Sequence, residues 1–280
     1  MIFSLNAQDI SNQLNALPKF HYQFSKFFQT RTKSMEQTAL NYLKGLFIVE
    51  KEKTMSAMER NLEDVCKQSL GHFISNSPWE DAPLVAEVQR CVVKELNPSG
   101  QEDVGLIIDE SAFPKKGKAS VGVKRQYAGS LGKVDSCQVG VFLAYTTRTQ
   151  TSLIARNMYL PKEWIEDLDR CFDAGIPMEN QVFKTKPELA LDLIKEAIAN
   201  GIPFSFVGMD AGYGGNFQLL GDLEDKGIIW LADVAKTQLV YKKMPKIEVE
   251  PLGQDKVQMK ISNEESCSVE ELVQTEKITF

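Results

Sequence analysis

The sequence predicts an α/β protein, in detail an α+β domain built on one mixed sheet with a helical region in front of it. Three observations carry this. Apolar residues recur at helical spacing as far as about residue 98. From Val104 onward, short apolar runs broken by glycines take over, as in strands joined by tight turns. Beyond residue 185, helical and strand-like segments alternate, and two of the strands run out on an aspartate.

In the first region Ala39, Leu43, Leu46 and Phe47 fall on one side of a helix, and Leu84, Val88, Cys91 and Val92 on one side of another. Ser77-Pro78-Trp79 supplies a turn and a start for the second of these. Val104 to Asp109 is a short, continuous apolar run, the pattern of a strand covered on both faces. Residues 120–127 and 138–146 follow with glycine-rich turns between them, which predicts an antiparallel meander. Residues 157–183 are less regular, contain Pro161, Trp164 and Pro177, and read as an excursion from the sheet. Pro187 then opens a helix whose apolar face is Ala190, Leu193, Ile194, Ala197 and Ile198, and Gly201 stops it. A strand over 204–210 ends in Asp210, a glycine loop spans 211–216, Leu219, Leu220 and Leu223 mark a helix, and 228–232 form the next strand. A meander followed by helix, strand, helix and strand is the order of an RNase H-like sheet. The chain therefore divides into a helical region, 1–100, and a sheet domain, 101–280.

Composition narrows the chemistry. At 280 residues there is room for one large domain with a smaller one beside it. No apolar run approaches the roughly 20 residues that span a bilayer, and no secretory signal is visible. The five cysteines are widely spaced and form no Cys-x-x-Cys pair, the usage of reduced thiols in a cytoplasmic protein rather than of a zinc site. With His21 and His72 as the only histidines, the sequence argues against a histidine-rich metal site and against a Ser-His-Asp triad. A metal here would sit on oxygen ligands, which favours magnesium or manganese. The net charge of −6 argues against a polyanionic partner when taken alone. Its distribution argues the other way: Lys115, Lys116, Lys118, Lys124, Arg125 and Lys133 lie between residues 111 and 134 with no acid among them. Screening confines charge effects to about a Debye length, so a basic patch on an acidic chain can hold a phosphate backbone.

Three features could carry chemistry, each with a plainer alternative. Asp109 and Asp210 end two strands 101 residues apart. On neighbouring strands they would converge and could share a metal, and two-metal phosphoryl transfer uses such carboxylates to hold cations about 3.5–4 Å apart. The plainer reading is that each ends a strand and caps the next turn. Glu110 falls on the opposite side of its strand, and Asp233 ends a later one; both are weaker candidates. The lysine-rich loop after Asp109 is either a phosphate clamp or a solvated turn. The glycines at 211–216 could cradle a phosphate at a helix start, but they lack the Gly-x-Gly-x-x-Gly spacing. A tight turn beside Asp210 explains them as well.

Several stretches go further. Ile108-Asp109-Glu110-Ser111-Ala112-Phe113-Pro114-Lys115-Lys116-Gly117-Lys118, Ser120-Val121-Gly122-Val123, Arg125-Gln126-Tyr127, Leu131-Gly132-Lys133 and Cys137-Gln138-Val139 stand in one block. Tyr159-Leu160-Pro161 with Trp164, Phe183-Lys184-Thr185-Lys186 and Asp210-Ala211-Gly212-Tyr213-Gly214 follow. Together they resemble the DDE transposases of bacterial insertion sequences, the group of DDE superfamily endonucleases, over roughly residues 35–275. The resemblance implies an RNase H-like catalytic domain with Asp109 and Asp210 as the first two acids of a triad, binding Mg²⁺ or Mn²⁺. It implies DNA strand cleavage and strand transfer by in-line phosphoryl transfer, with transposon ends and target DNA as partners. Lys115, Lys116, Lys118, Lys124, Arg125 and Lys133 would hold DNA phosphates, and the helical region would recognise the element's ends or form a homodimer.

One departure stands out. The family's third acid is a Glu on a later helix with Tyr, Arg and Lys at helical spacing, and none of Glu264, Glu265, Glu270, Glu271 and Glu276 has those surroundings. The expectation is an incomplete catalytic domain, impaired in cleavage, with an exposed sheet edge and poor solubility. The alternative is a non-catalytic DNA-binding remnant or a repressor of full-length transposase.

Overall fold

The computed structural model describes residues 7–97, 100, 103–253, 256–261 and 264–275, and the chain divides into two compact units, 1–91 and 92–280. The first unit is helical: α1 (Ala7–Tyr22), a 3-10 turn (Ser25–Phe28), α2 (Glu36–Ile48), α3 (Met55–Asn61), α4 (Lys67–Ser75) and the start of α5 (Asp81–Leu96). Aromatic packing holds it together. Trp79 stacks on Phe73 with ring centroids 5.4 Å apart, and its Nε1–H donates to the Phe73 carbonyl at 2.9 Å. Phe24, Phe28, Met35 and Ala39 close around this pair. Phe47, expected on the apolar face of α2, is exposed, because that helix buries the side carrying Ala39 and Gly45.

The second unit is built on a six-stranded mixed sheet. Its strands and helices run in the order β1 (Gly105–Pro114), β2 (Lys124–Ala128), β3 (Lys133–Thr146), β4 (Thr151–Tyr159), α6 (Lys162–Ile165), α7 (Leu168–Asp173), α8 (Lys186–Ala199), β5 (Phe206–Met209), α9 (Ala211–Gly214), α10 (Phe217–Glu224) and β6 (Trp230–Ala232). Across the sheet the order is β2-β3-β1-β5-β6, with β4 also paired to β3. The β3 pairings are antiparallel, whereas β1–β5 and β5–β6 are parallel. An antiparallel meander extended by two parallel strands through helical crossovers is the RNase H-like arrangement.

Strand limits depart from the sequence expectation: β2 starts only at Lys124 rather than at residue 120. Asn157, Met158 and Tyr159 belong to β4, so the excursion begins only at residue 160. A register shift at Leu143/Ala144 breaks the alternation along the β3–β4 pair, which is why β4 does not show as a strand in the sequence. The last departure concerns Asp109, which does not end its strand: β1 continues to Pro114, paired with β3 alone.

The core lies on one face. Leu106 and Ile108 of β1, Val141, Leu143 and Tyr145 of β3, and Val207 of β5 pack against Leu193, Ile194 and Ala197 of α8 and Leu219 and Leu223 of α10. Each such buried side chain contributes about 1.5–3 kcal/mol. Thr185 and Glu188 form a capping box at the start of α8, with Pro187 in its first turn. Ile198, expected on the apolar face, is 44% exposed at the far end of the helix.

Residues 239–275 add two small two-stranded sheets separate from the main one: β7 (Leu239–Tyr241) with β10 (Ser266–Ser268), and β8 (Ile247–Gly253) with β9 (Lys256–Ile261). A short helix, α11 (Val269–Thr275), follows. The stretch that carries Glu270 and Glu271 thus has regular structure. Glu271 accepts from the Ser268 amide at 2.8 Å, Glu270 pairs with Lys236 at 3.5 Å, and Glu276 lies outside the described residues. Among the described residues no helix is long and apolar enough to cross a membrane.

Candidate active site

The parallel pairing of β1 with β5 sets Gly105 opposite Phe206 and ends with Ile108 opposite Met209. One residue further, the two chains carry Asp109 and Asp210, on strands whose neighbours lie about 4.8 Å apart. There they diverge. Asp210 leaves the strand to cap α9, its Oδ1 accepting the Gly212 and Tyr213 amides at 2.9 and 3.3 Å. Asp109 stays in β1, its Oδ1 accepting the Glu110 amide at 2.7 Å. Capping and ligation are therefore compatible: among the described residues, Oδ2 of each aspartate has no protein donor.

Both carboxylates line one open hollow of about 500 Å³, together with Asp233 and an apolar wall that includes Ile107, Phe206 and Leu231. Asp233 is fixed there by its amide, which donates to the Met209 carbonyl at 3.1 Å. The carboxyl ends of parallel strands are where open α/β sheets receive ligands. An all-oxygen donor set suits a hard divalent cation. Among the described residues, no three His, Cys, Asp or Glu side chains are grouped closely enough to hold a metal by themselves.

The glycine segment after Asp210 is a short helix packed against β6. A Cβ on Gly214 would stand 2.4 Å from the Asp233 carbonyl oxygen and 2.7 Å from Ala232 Cβ, so only glycine lets α9 come this close. Its first amides are taken by Asp210, which leaves no phosphate cradle there.

Glu110 faces the other side of β1, where Lys186 Nζ lies 2.6 Å from its Oε1. Tyr213 is 1% exposed beside it. Burial, then the negative field of Glu110, Asp210 and Asp109, pushes the Tyr213 phenol far above its ordinary value. Sequence reasoning gave Lys186 and Tyr213 no role beyond their place in the matched stretches. The available signal was a lysine in the first turn of α8, where the helix dipole disfavours a cation.

The lysine-rich loop is further away than its sequence position implies. β1 runs on past Asp109 to Pro114, so Lys115 lies roughly 20 Å along the strand at about 3.3 Å per residue. The excursion after β4 anchors this loop. Trp164 Nε1–H donates to the Val123 carbonyl at 2.9 Å, and Arg170, its guanidinium 3.7 Å from the Trp164 ring centre, donates to the Lys118 carbonyl at 2.8 Å. Gly122, at φ +73°, has the Tyr159 carbonyl oxygen 2.8 Å from where a Cβ would stand. Two of the six cations have acids beside them: Lys124 pairs with Glu163, and Lys133 with Asp135 at 3.0 Å, which holds the Asp135 carboxyl below its usual range. Lys116, Lys118 and Arg125 remain exposed.

Comparison with known proteins agrees with this architecture. The family described as DDE superfamily endonuclease matches residues 23–278. A probable transposase for insertion sequence element IS701 from Microchaete diplosiphon is 31% identical over 164 residues, which are 59% of this chain and 39% of that protein. The match thus spans about two fifths of that relative. With a family match along nearly its whole length and an RNase H-like sheet beneath it, the chain belongs to the DDE superfamily endonucleases, alongside transposases of insertion sequences.

Proposed function

We propose that this protein cuts DNA strands at the ends of an insertion sequence and joins them to target DNA, with Asp109 and Asp210 as metal-holding catalytic carboxylates. The observation that carries this is their placement one residue past the last rung of β1–β5, both opening into one hollow. Enzymes of this superfamily generally use divalent metals. Mg²⁺ or Mn²⁺ bound there would activate the attacking water or 3′-hydroxyl and stabilise the leaving oxygen of an in-line displacement. Asp109 would present its Oδ2 from a strand that β3 keeps rigid, and Asp210 its own from the cap of α9.

Lys115, Lys116, Lys118, Lys124, Arg125 and Lys133 would grip the DNA backbone away from the scissile phosphate. A distance of roughly 20 Å along β1 corresponds to about six base pairs at 3.4 Å each. The helical region, residues 1–100, is assigned to recognising the element's ends or to forming a homodimer, and residues 101–280 to catalysis.

The test is cleavage of duplex DNA carrying the ends of the encoding element, with Mg²⁺ or Mn²⁺. Weak metal-dependent nicking, lost in both Asp109→Asn and Asp210→Asn, is the expected result, because no third acid groups with the two among the described residues. Salt-sensitive binding of those ends with no nicking under either metal would instead identify a DNA-binding repressor or remnant.

A further inference from the structure

The backbone ladder that brings the two aspartates together stops at Ile108 and Met209. Beyond that rung no parallel hydrogen bond holds Asp109 to Asp210, and the chains take different courses. Ligands that share a metal must nevertheless keep a fixed separation, so something other than the ladder has to set it.

Tyr213 touches both sides of the gap. Its backbone N–H donates to Asp210 Oδ1 at 3.3 Å. Its ring is buried in the core with Leu106 and Ile108, and its hydroxyl lies against Glu110, the residue after Asp109. Glu110 is held from the other side by Lys186 Nζ at 2.6 Å, and Lys186 is fixed in the first turn of α8 by the Thr185–Glu188 capping box and Pro187. A phenol is an odd choice for a packing residue here. Its buried oxygen has no hydrogen-bond partner within bonding geometry in this structure, and an unpaired buried hydroxyl costs stability that phenylalanine would not lose.

We infer that Tyr213, through Glu110 and Lys186, is a positioning residue that sets the separation of Asp109 and Asp210. The inference rests on the metal-holding role proposed above for the two aspartates. On the back of the sheet, Lys186 anchors Glu110, and β1 carries that anchoring one residue along to Asp109. Glu110 is the acceptor within reach of the Tyr213 hydroxyl, so a bond between them would join the end of β1 to α9. One side chain then ties both strand ends to α8.

The experiment titrates the full chain with Mn²⁺ by calorimetry, without DNA, and records apo thermal midpoints alongside. Removing outer-shell partners of metal ligands typically weakens metal binding 10–100-fold. Tyr213→Phe is expected to keep or raise the apo midpoint while weakening Mn²⁺ binding about tenfold. Lys186→Met should weaken it similarly, with Lys186→Arg recovering most of the loss. Mn²⁺ binding that Asp109→Asn abolishes but Tyr213→Phe and Lys186→Met leave unchanged would overturn the inference and spare the site. Binding indifferent to Asp109→Asn would overturn the site reading, and the inference with it.

Discussion

The two faces of the main sheet differ in a way their shared strands do not announce. Leu106, Ile108, Val141, Leu143 and Tyr145 point to the side sealed by α8 and α10 and are essentially inaccessible. Alternate positions on the same and neighbouring strands carry Ile107, Phe142, Leu153, Met158 and Leu231, also apolar, and of these Leu153 and Leu231 are about 60% exposed. Asp109 belongs to this second face, opposite Phe142. The comparison separates a packed face from an exposed one. The sealed face supplies burial, while the open one leaves Asp109 exposed to solvent.

The largest expected contrast comes from truncating one side chain on each face. Leu193→Ala should cost about 2–5 kcal/mol in urea unfolding, against about 0.5 kcal/mol or less for Leu231→Ala. A comparable loss at Leu231 would show that the open face is covered in solution. Gly214→Ala should cost about 1–3 kcal/mol, since its Cβ has no space against the Asp233 carbonyl, whereas Gly117→Ala, with nothing within 4 Å, should be nearly silent. Equal unfolding midpoints for these two variants would contradict the close packing of α9 on β6.

Thiol reactivity tests accessibility directly. Burial raises the Cys137 thiol, and Cys137 should resist alkylation until the protein unfolds. Exposed Cys66, lowered by backbone hydrogen bonds from Ser69 and Gln68, should form thiolate at lower pH and react first. A Leu231→Cys variant that reacts no faster than Cys137 would erase the distinction between the faces.

The smallest effect is expected at the cap of α8. Glu188→Gln should lower stability by about 0.5 kcal/mol near neutral pH. The Thr185 amide and hydroxyl hold the Glu188 carboxyl below its usual value, so its contribution is present above the ordinary carboxylate range. That contribution is lost as the pH falls through the lowered value. Thermal midpoints of the two proteins should converge in acid; a constant gap would mean that the charge of Glu188 is irrelevant.

Local chemistry is what the sequence determined alone. The cap at Thr185-Lys186-Pro187-Glu188 and the apolar spacing that follows define α8 without reference to the rest of the chain. Strand parity places Asp109 and Glu110 on opposite sides of β1, and short apolar runs ending in Asp109 and Asp210 single out those two positions. The glycine-punctuated meander and the helix–strand alternation after it carry the order of the sheet. Only the tertiary structure decided the rest, because it depends on partners far apart in sequence. The β3–β4 register shift hid a strand, and the run of β1 to Pro114 moved the lysine loop away from the carboxylates. Glu163 came to Lys124 from 39 residues away, and Lys186 to Glu110 from 76. Helical spacing, capping and strand parity act over a few residues and are written locally. Register, ion pairing and the choice of which sheet face to cover are settled by distant segments competing for the same surface.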